Sequence, residues 1–146
     1  IVGCFAQPML LRPGGVPRAE IERVLGRRLA QPPAEAESTN SQPLAPGMLA
    51  SHYAPRTRVR LNATRVEPGE ALLAFGPATV TGAHAATAVM NLSASGDLAE
   101  AATNLFGYLK LADASGATSI AVTSIPQHGL GEAINDRLAR AAAPRS

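Results

Sequence analysis

Residues 97–125 read DLAEAATNLFGYLKLADASGATSIAVTSI and decide the fold. Asp97 is a residue that caps the amino end of helices, and Glu100, three positions later, completes a capping box. Gly116 provides the stop. The apolar positions between them, at helical spacing, are Leu98, Ala101, Ala102, Leu105, Leu109 and Ala112. The next apolar segment, Ser119–Ile125, is typical of a buried strand, so this stretch predicts a helix followed by a parallel strand.

The flanking sequence repeats this alternation of strands and helices. Residues 58–61 alternate as a strand does, while Ala71–Phe75 and Ala86–Leu92 are continuous apolar runs, as strands buried on both faces require. A final helix after Gly129 is marked by Leu130, Ile134, Leu138 and Ala141. We therefore expect residues 57–146 to form a small α/β domain with a mainly parallel, Rossmann-like sheet and flanking helices.

The sequence before residue 57 has a different character. An apolar run ends at Leu10-Leu11, and Arg12–Gly15 reads as a turn after a strand. Pro17 suits the first turn of a short helix that Gly26 ends. Residues 30–56 contain Pro32, Pro33, Pro43, Pro46 and Pro55. This proline density predicts an extended linker, which we expect to be disordered as far as about Gln42.

Composition excludes several classes of protein. Of the 146 residues, 46% are hydrophobic and 16% charged, which suits a globular domain with a buried core. The net charge of +2 and the 3% of aromatic residues argue against tight, direct tRNA binding. The only cysteine, Cys4, excludes an internal disulfide and is expected to be an inert core thiol. The sequence shows no membrane span, no signal peptide and no metal-ligand spacing, and it opens without Met, which suggests a fragment.

Two segments carry candidate chemistry. Arg12, held on a rigid turn, could offer its planar fork of donors to a phosphate, although a solvated surface arginine is an equally good interpretation. Residues 45–55, APGMLASHYAP, place His52 and Tyr53 in a stiff, proline-bounded strip. This strip is either an ordered linker anchored by its tyrosine and methionine or a lid laid over a nucleotide.

The last helix offers weaker signals. Residues 129–131, Gly-Leu-Gly, could bind an anion at a helix amino terminus, but plain helix-entry geometry explains them better. His128 and Asp136 flank this helix without a nucleophile that would make a hydrolase triad. We expect Arg137 and Arg140 on its solvated face. The dinucleotide fingerprint Gly-x-Gly-x-x-Gly is absent, so a Rossmann dehydrogenase is not supported.

Taken together, these stretches resemble the two-domain threonylcarbamoyl-AMP synthase family. Residues 1–14, with their Leu-Arg-Pro-Gly turn, look like the end of that family's catalytic domain. Pro46-Gly47-Met48 and His52-Tyr53-Ala54-Pro55 look like its interdomain linker motif. Residues 129–138 resemble the last helix of its C-terminal domain. The resemblance implies that residues 1–29 end a catalytic domain, 30–56 are the interdomain linker and 57–146 are the small C-terminal domain.

The resemblance also implies an activity. The family are cytoplasmic nucleotidyltransferases that convert L-threonine, bicarbonate and ATP, with Mg²⁺ expected, into threonylcarbamoyl-AMP and pyrophosphate for tRNA modification. By position, Arg12 matches the turn arginine that contacts ATP and Tyr53 the linker tyrosine that reaches the nucleotide, with His52 beside it. No catalytic residue and no metal ligand falls within this chain, so the fragment alone is expected to be inactive.

The implied partners are the upstream catalytic domain and downstream tRNA-modifying proteins. A second hypothesis comes from a different class: a non-catalytic α/β module that binds a protein partner or senses a nucleotide. The absence of a complete catalytic constellation from the sequence favours it. Nucleotide binding by the isolated chain would separate the two.

Overall fold

The computed structural model of the chain describes residues 1–31 and 55–143. The first range contains strands β1 (Val2–Gly3) and β2 (Met9–Leu10), which pair antiparallel, and helix α1 (Arg18–Leu25). Helix α1 ends as predicted, because Gly26 has a φ of 65°, in the left-handed region that glycine enters without strain. Cys4 is exposed, so the prediction of a core thiol is wrong: β1 ends at Gly3 and the chain leaves the paired strands there.

The second range forms the predicted parallel sheet. Its four strands are β3 (Arg58–Arg60), β4 (Glu70–Ala74), β5 (Val89–Asn91) and β6 (Ser119–Val122). They lie in the order β3-β6-β4-β5, and every neighbouring pair is parallel. The α/β fold class predicted from the sequence is therefore confirmed.

The two faces of the sheet are covered differently. Helices α2 (Leu98–Ala114) and α3 (Leu130–Ala142) both pack on the face that carries Ala71 and Leu73. Leu72 and Ala74 point to the opposite face, where the segment between β4 and β5 covers them. The larger core lies under the helices and includes Leu92, Ala101, Leu105, Ala112, Ile120, Val122, Ile125, Ile134 and Leu138.

Strand β5 is less buried than its sequence suggests. The apolar run 86–92 predicts a strand covered on both faces, but only Val89–Asn91 is a strand and Val89 is 56% exposed. The reason is its position, because β5 pairs only with β4 and lies at the edge of the sheet. An apolar run alone does not distinguish an edge strand from a central one.

The amino end of α2 is capped by a different network from the predicted box. The Asp97 carboxylate accepts hydrogen bonds from the backbone N–H groups of Ala99 and Glu100, as expected. The Asp97 N–H, however, donates to the hydroxyl of Ser93, which in turn donates to the Glu100 carboxylate. Ser93 is 1% exposed, so a buried hydroxyl takes the place that a capping box gives to the glutamate.

An ion pair around a buried carboxylate ties three neighbouring strands together. The carboxylate of Glu70 in β4 accepts two hydrogen bonds from Arg60 in β3 and one from the hydroxyl of Ser119 in β6. It also accepts the Glu67 N–H at 2.9 Å. Hydrogen bonding by the Arg60 guanidinium is the largest cause that lowers the pKa of Glu70 from 4.5 to about 2.

This ion pair predicts a specific acid dependence of stability. Because the pKa of Glu70 is lower in the folded chain, its contribution is present above about pH 5 and is lost as the pH falls towards 2. The shift corresponds to roughly 3 kcal/mol. Glu70→Gln should lower the free energy of unfolding by about that amount at pH 7, measured by chemical denaturation. The deficit should shrink as the pH approaches 2.

The matched control is Glu67→Gln. Its carboxylate is 48% exposed and pairs with Arg65 at the surface, so we expect a change in the free energy of unfolding below about 0.5 kcal/mol at pH 7. A Glu70→Gln deficit that stayed constant between pH 7 and 2 would contradict the assigned pKa shift.

Two glycines in helices test the packing of α3. A Cβ at Gly131 would collide with the carbonyl oxygen of Pro126, whereas a Cβ at Gly107, on the exposed side of α2, would meet nothing within 4 Å. Gly131→Ala should therefore destabilise the chain by about 1–3 kcal/mol, as overpacking does. Gly107→Ala should stabilise it by about 0.5–1 kcal/mol, because alanine is the better helix former. Thermal unfolding of both variants checks the opposite signs.

Candidate functional site

Arg12 lies in the turn after β2, as the sequence predicts. Leu10 and Leu11 are buried and anchor the turn from within. The N–H groups of Leu11 and Arg12 both donate to the carbonyl of Ile1, at 3.0 and 3.2 Å, and the Arg12 carbonyl accepts a hydrogen bond from the Ile1 nitrogen at 2.6 Å. These contacts hold the backbone of Arg12 in place, while its side chain remains 25% exposed.

The side chain of Arg12 meets helix α3 at Asp136. The Nε atom of Arg12 lies 3.9 Å from the Oδ2 atom of Asp136, which is an ion pair without hydrogen-bond distance. Both oxygens of Asp136 accept hydrogen bonds from Arg140, at 3.0 and 3.1 Å. Arg12, Asp136 and Arg140 thus form a three-residue cluster with two positive charges and one negative.

This cluster corrects the expected position of Arg140. The sequence predicts both Arg137 and Arg140 on the solvated face of the last helix. Arg137 is exposed, but the side chain of Arg140 is 25% exposed and bonded to Asp136 four residues earlier. Asp136 faces the first part of the chain, and Arg140 follows it because residues four apart share a helix face.

A second ion pair joins the same two parts of the chain one helical turn earlier. The Nε and Nη2 atoms of Arg18 both donate to Oε1 of Glu132, at 3.3 and 2.8 Å, and both side chains are about three-quarters buried. We call Glu132 and Asp136 together the acidic edge of α3. The sequence analysis missed this edge; two acids four residues apart on an amphipathic helix were the available signal.

A shallow cleft that encloses no room for a water molecule lies where these two parts meet. Pro13, Gly14 and Pro17 form one wall, and Gly129 and Glu132 at the start of α3 form the other. The cleft therefore borders the Arg12 turn on one side and the acidic edge of α3 on the other.

The Gly-Leu-Gly entry to α3 serves backbone geometry. Gly129 has a φ of 57° and a ψ of −131°, a combination that glycine adopts without strain. Gly131 packs against the carbonyl of Pro126, and its N–H donates to the carbonyl of His128 at 2.9 Å. The structure thus favours the helix-entry interpretation over an anion site, since this N–H already has a partner.

The carboxyl ends of the parallel strands, where open α/β sheets bind ligands, are bonded internally. The Thr123 hydroxyl accepts the Phe75 N–H, and the Asn91 amide donates to the Gly76 carbonyl, both at 2.9 Å. Within residues 1–31 and 55–143, no buried side-chain nitrogen or oxygen lacks a hydrogen-bond partner. These groups at the strand ends are therefore already paired within the domain.

The remaining candidates cannot be placed in the same way. His52 and Tyr53 lie outside the described residues, as does most of the predicted linker 30–56. In the ranges that the structure covers, no group of three or more His, Cys, Asp or Glu residues could hold a metal ion. No helix of those ranges is long and apolar enough to cross a membrane.

Fold and site together define a small parallel α/β domain whose last helix is docked on a strand–helix segment with a partly exposed arginine in its turn. The family model described as the C-terminal domain of threonylcarbamoyl-AMP synthase matches residues 16–143. The chain therefore belongs to the threonylcarbamoyl-AMP synthase family and corresponds to its C-terminal part.

Individual relatives agree with this assignment. The chain is 34% identical to the threonylcarbamoyl-AMP synthase of Pyrococcus abyssi and 30% identical to that of Bacillus subtilis, in each case over 94% of its own length. It spans only 43% and 42% of these two relatives. The crystal structure of P. abyssi Sua5 complexed with L-threonine superposes with a TM-score of 0.71 at 29% identity, covering 92% of this chain and 42% of that one. A P. abyssi Sua5 variant with a histidine and the tyrosine after it both replaced by alanine gives 0.61 at 25%, covering 92% and 41%.

The ion pair between Arg18 and Glu132 should contribute measurably to docking of the first segment on α3. A double-mutant cycle with Arg18→Ala and Glu132→Ala should give a coupling energy of about 1 kcal/mol in chemical denaturation, since both groups are largely buried and hydrogen-bonded. The exposed pair Glu20–Arg23 in α1 is the control and should couple by less than about 0.5 kcal/mol. Equal coupling in both cycles would contradict a docking role for the first pair.

Proposed function

We propose that this chain is the C-terminal part of an enzyme that makes threonylcarbamoyl-AMP and pyrophosphate from L-threonine, bicarbonate and ATP. The observation that carries the proposal is the similarity to two threonylcarbamoyl-AMP synthases over 94% of the chain. A similar solved protein is described as complexed with L-threonine, which supports that substrate. The chain spans less than half of these relatives, and the proposal assigns the catalytic chemistry to the part of them that the chain does not cover.

In this proposal Arg12 binds the phosphates of ATP. Its backbone makes two hydrogen bonds to Ile1, and Leu11 beside it makes a third, so the direction in which the side chain leaves the turn is set in advance. Its guanidinium is not hydrogen-bonded to Asp136, whose two oxygens are bonded to Arg140 instead. Formation of the adenylate develops negative charge on the phosphates, which a positioned arginine stabilises.

The linker supplies a lid in the same proposal. His52 and Tyr53 stand side by side between Pro46 and Pro55, and prolines lower the entropy cost of ordering such a strip. In a similar solved protein, a histidine and the tyrosine after it were both replaced by alanine, which supports a role for the pair His52 and Tyr53. The tyrosine can stack on the base or donate its hydroxyl to a phosphate, and a closed lid protects the labile adenylate from water.

The small domain then acts as a scaffold. Its strand ends are bonded internally and offer no buried unused donor within the described ranges, which supports a positioning role over independent nucleotide sensing. We propose residues 1–29, 30–56 and 57–146 as the end of the catalytic domain, the linker and the scaffold. Mg²⁺ is assigned to no residue here, because Glu132 and Asp136 are bonded to arginines.

The proposal also covers the setting of the reaction. It places the enzyme in the cytoplasm, where its product passes to tRNA-modifying proteins. The net charge of +2 gives this part of the chain little attraction for the tRNA backbone. In the proposal it therefore contributes to making threonylcarbamoyl-AMP and does not bind the tRNA.

The test is made in the full-length enzyme. Arg12→Ala should lower kcat/KM for ATP roughly 10- to 100-fold, as expected for loss of a charge-assisted hydrogen bond. Tyr53→Phe, which keeps the ring and removes the hydroxyl, should lower it about 3- to 10-fold. Pyrophosphate release at varied ATP concentration measures both effects.

Arg23→Ala is the control, since that arginine is 72% exposed on α1 and should leave the kinetics unchanged. Unchanged kinetics in both Arg12→Ala and Tyr53→Phe would remove these residues from the ATP site. Tight ATP binding by the 146-residue chain alone would instead support a nucleotide-sensing module.

A further inference from the structure

We infer that Asp136 is a positioning residue for ATP, acting through Arg12; this rests on the proposed function and names a contribution of the small domain to it. The observation behind it is the ion pair between the Arg12 turn and the acidic edge of α3. Arg12 belongs to the segment that precedes the linker, while Asp136 belongs to the domain that follows it. The two ends of the chain therefore meet at the side chain proposed to touch the nucleotide.

The geometry of the cluster shows whether Asp136 orients Arg12 or occupies its hydrogen-bond donors. If Asp136 hydrogen-bonded Arg12 directly, the guanidinium would have to break that bond to meet a phosphate. Instead, both oxygens of Asp136 are bonded to Arg140 at 3.0 and 3.1 Å, and Arg12 lies 3.9 Å away. The carboxylate attracts Arg12 and limits its directions, while the donors of Arg12 stay available.

The neighbouring pair supplies the rigidity that positioning requires. Arg18 and Glu132 are hydrogen-bonded at 2.8 Å, one helical turn before Asp136 on the same edge of α3. On the other side, Ile134 and Leu138 are 2% exposed and bury α3 in the core of the sheet. Asp136 is thus held by a helix fixed on two sides, and its own orientation is set by Arg140.

Positioning and plain electrostatics predict opposite effects of removing this charge. Next to a phosphate-binding arginine, loss of a carboxylate should by charge alone strengthen ATP binding, because the local potential becomes more positive. If Asp136 aims Arg12, its loss leaves the guanidinium free to leave the productive direction, and ATP binding weakens. The sign of the change therefore decides between the two.

The experiment uses Asp136→Asn in the full-length enzyme, with pyrophosphate release as the assay. We expect the KM for ATP to rise about 5-fold, while kcat and the KM for L-threonine change less than 2-fold. Asp136→Glu should restore most of the ATP affinity, since it returns the charge on the same helix face. Glu20→Gln, which removes one exposed negative charge from α1, is the matched control and should change neither KM.

A double-mutant cycle assigns the effect to Arg12. In an Arg12→Ala background, Asp136→Asn should no longer change the KM for ATP, because the residue through which it acts is gone. An unchanged or lowered KM in the single Asp136→Asn variant, or the same rise without Arg12, overturns the inference. Thermal unfolding of each variant should show an unchanged midpoint; a lowered midpoint with no rescue by Asp136→Glu makes the role structural and also overturns it.

Failure of the inference and failure of the proposed function look different. If Arg12→Ala impairs ATP use and Asp136→Asn does not, only the positioning role falls. If the wild-type enzyme forms no pyrophosphate from ATP, L-threonine and bicarbonate, the proposed function falls and takes the positioning role with it.

Discussion

Helix α3 has to satisfy two partners at once, and the arrangement of the molecule depends on this constraint. One side of the helix carries Ile134 and Leu138, which are buried against the sheet and α2. The adjoining edge carries Glu132 and Asp136, which face arginines of the first segment. Because helical residues four apart share a face, thirteen residues suffice to bury an apolar stripe and present an acidic one. Gly131 allows the helix to approach the preceding loop closely enough for both sets of contacts.

The sheet beneath α3 is held by a second group of polar contacts, which centres on the Glu70 carboxylate. Glu70 and Ser119, the first residues of β4 and β6, are hydrogen-bonded to each other, and Glu70 also bonds Arg60, the last residue of β3. A buried carboxylate with four hydrogen bonds has an orientation that a hydrophobic contact would not impose, so it fixes which strands are neighbours. At the other end of the strands, backbone and side-chain groups bond to each other. Hydrogen bonds therefore join β4 to β6 at both ends of the two strands.

Local sequence patterns were enough to predict the parallel α/β class, the helix from Asp97 and the glycine that ends α1. Two of the misses have a common physical cause. Whether β5 lies at an edge of the sheet and whether Asp136 faces solvent or the first segment both depend on contacts between residues that are distant in sequence. Periodicity measures how apolar a face is, and it cannot name what covers that face. The positions of Arg12 and its turn were predictable because they are local; its acidic neighbour was not.

The contrast between the two ion pairs on α3 fits the two tasks that an arginine-bearing turn has in the proposed enzyme. Docking of the first segment on α3 needs at least one contact that persists when the substrate binds. The pair at 2.8 Å between Arg18 and Glu132 suits that task, because it is hydrogen-bonded and largely buried. A substrate-binding arginine needs a partner that leaves its N–H donors unbonded, since those donors must hydrogen-bond the phosphate when the substrate binds. The 3.9 Å separation of Arg12 and Asp136 meets that need, because Arg140 already satisfies both oxygens of the carboxylate. In the proposed enzyme, exchanging the two geometries would hold Arg12 in hydrogen bonds and weaken the docking of the first segment on α3.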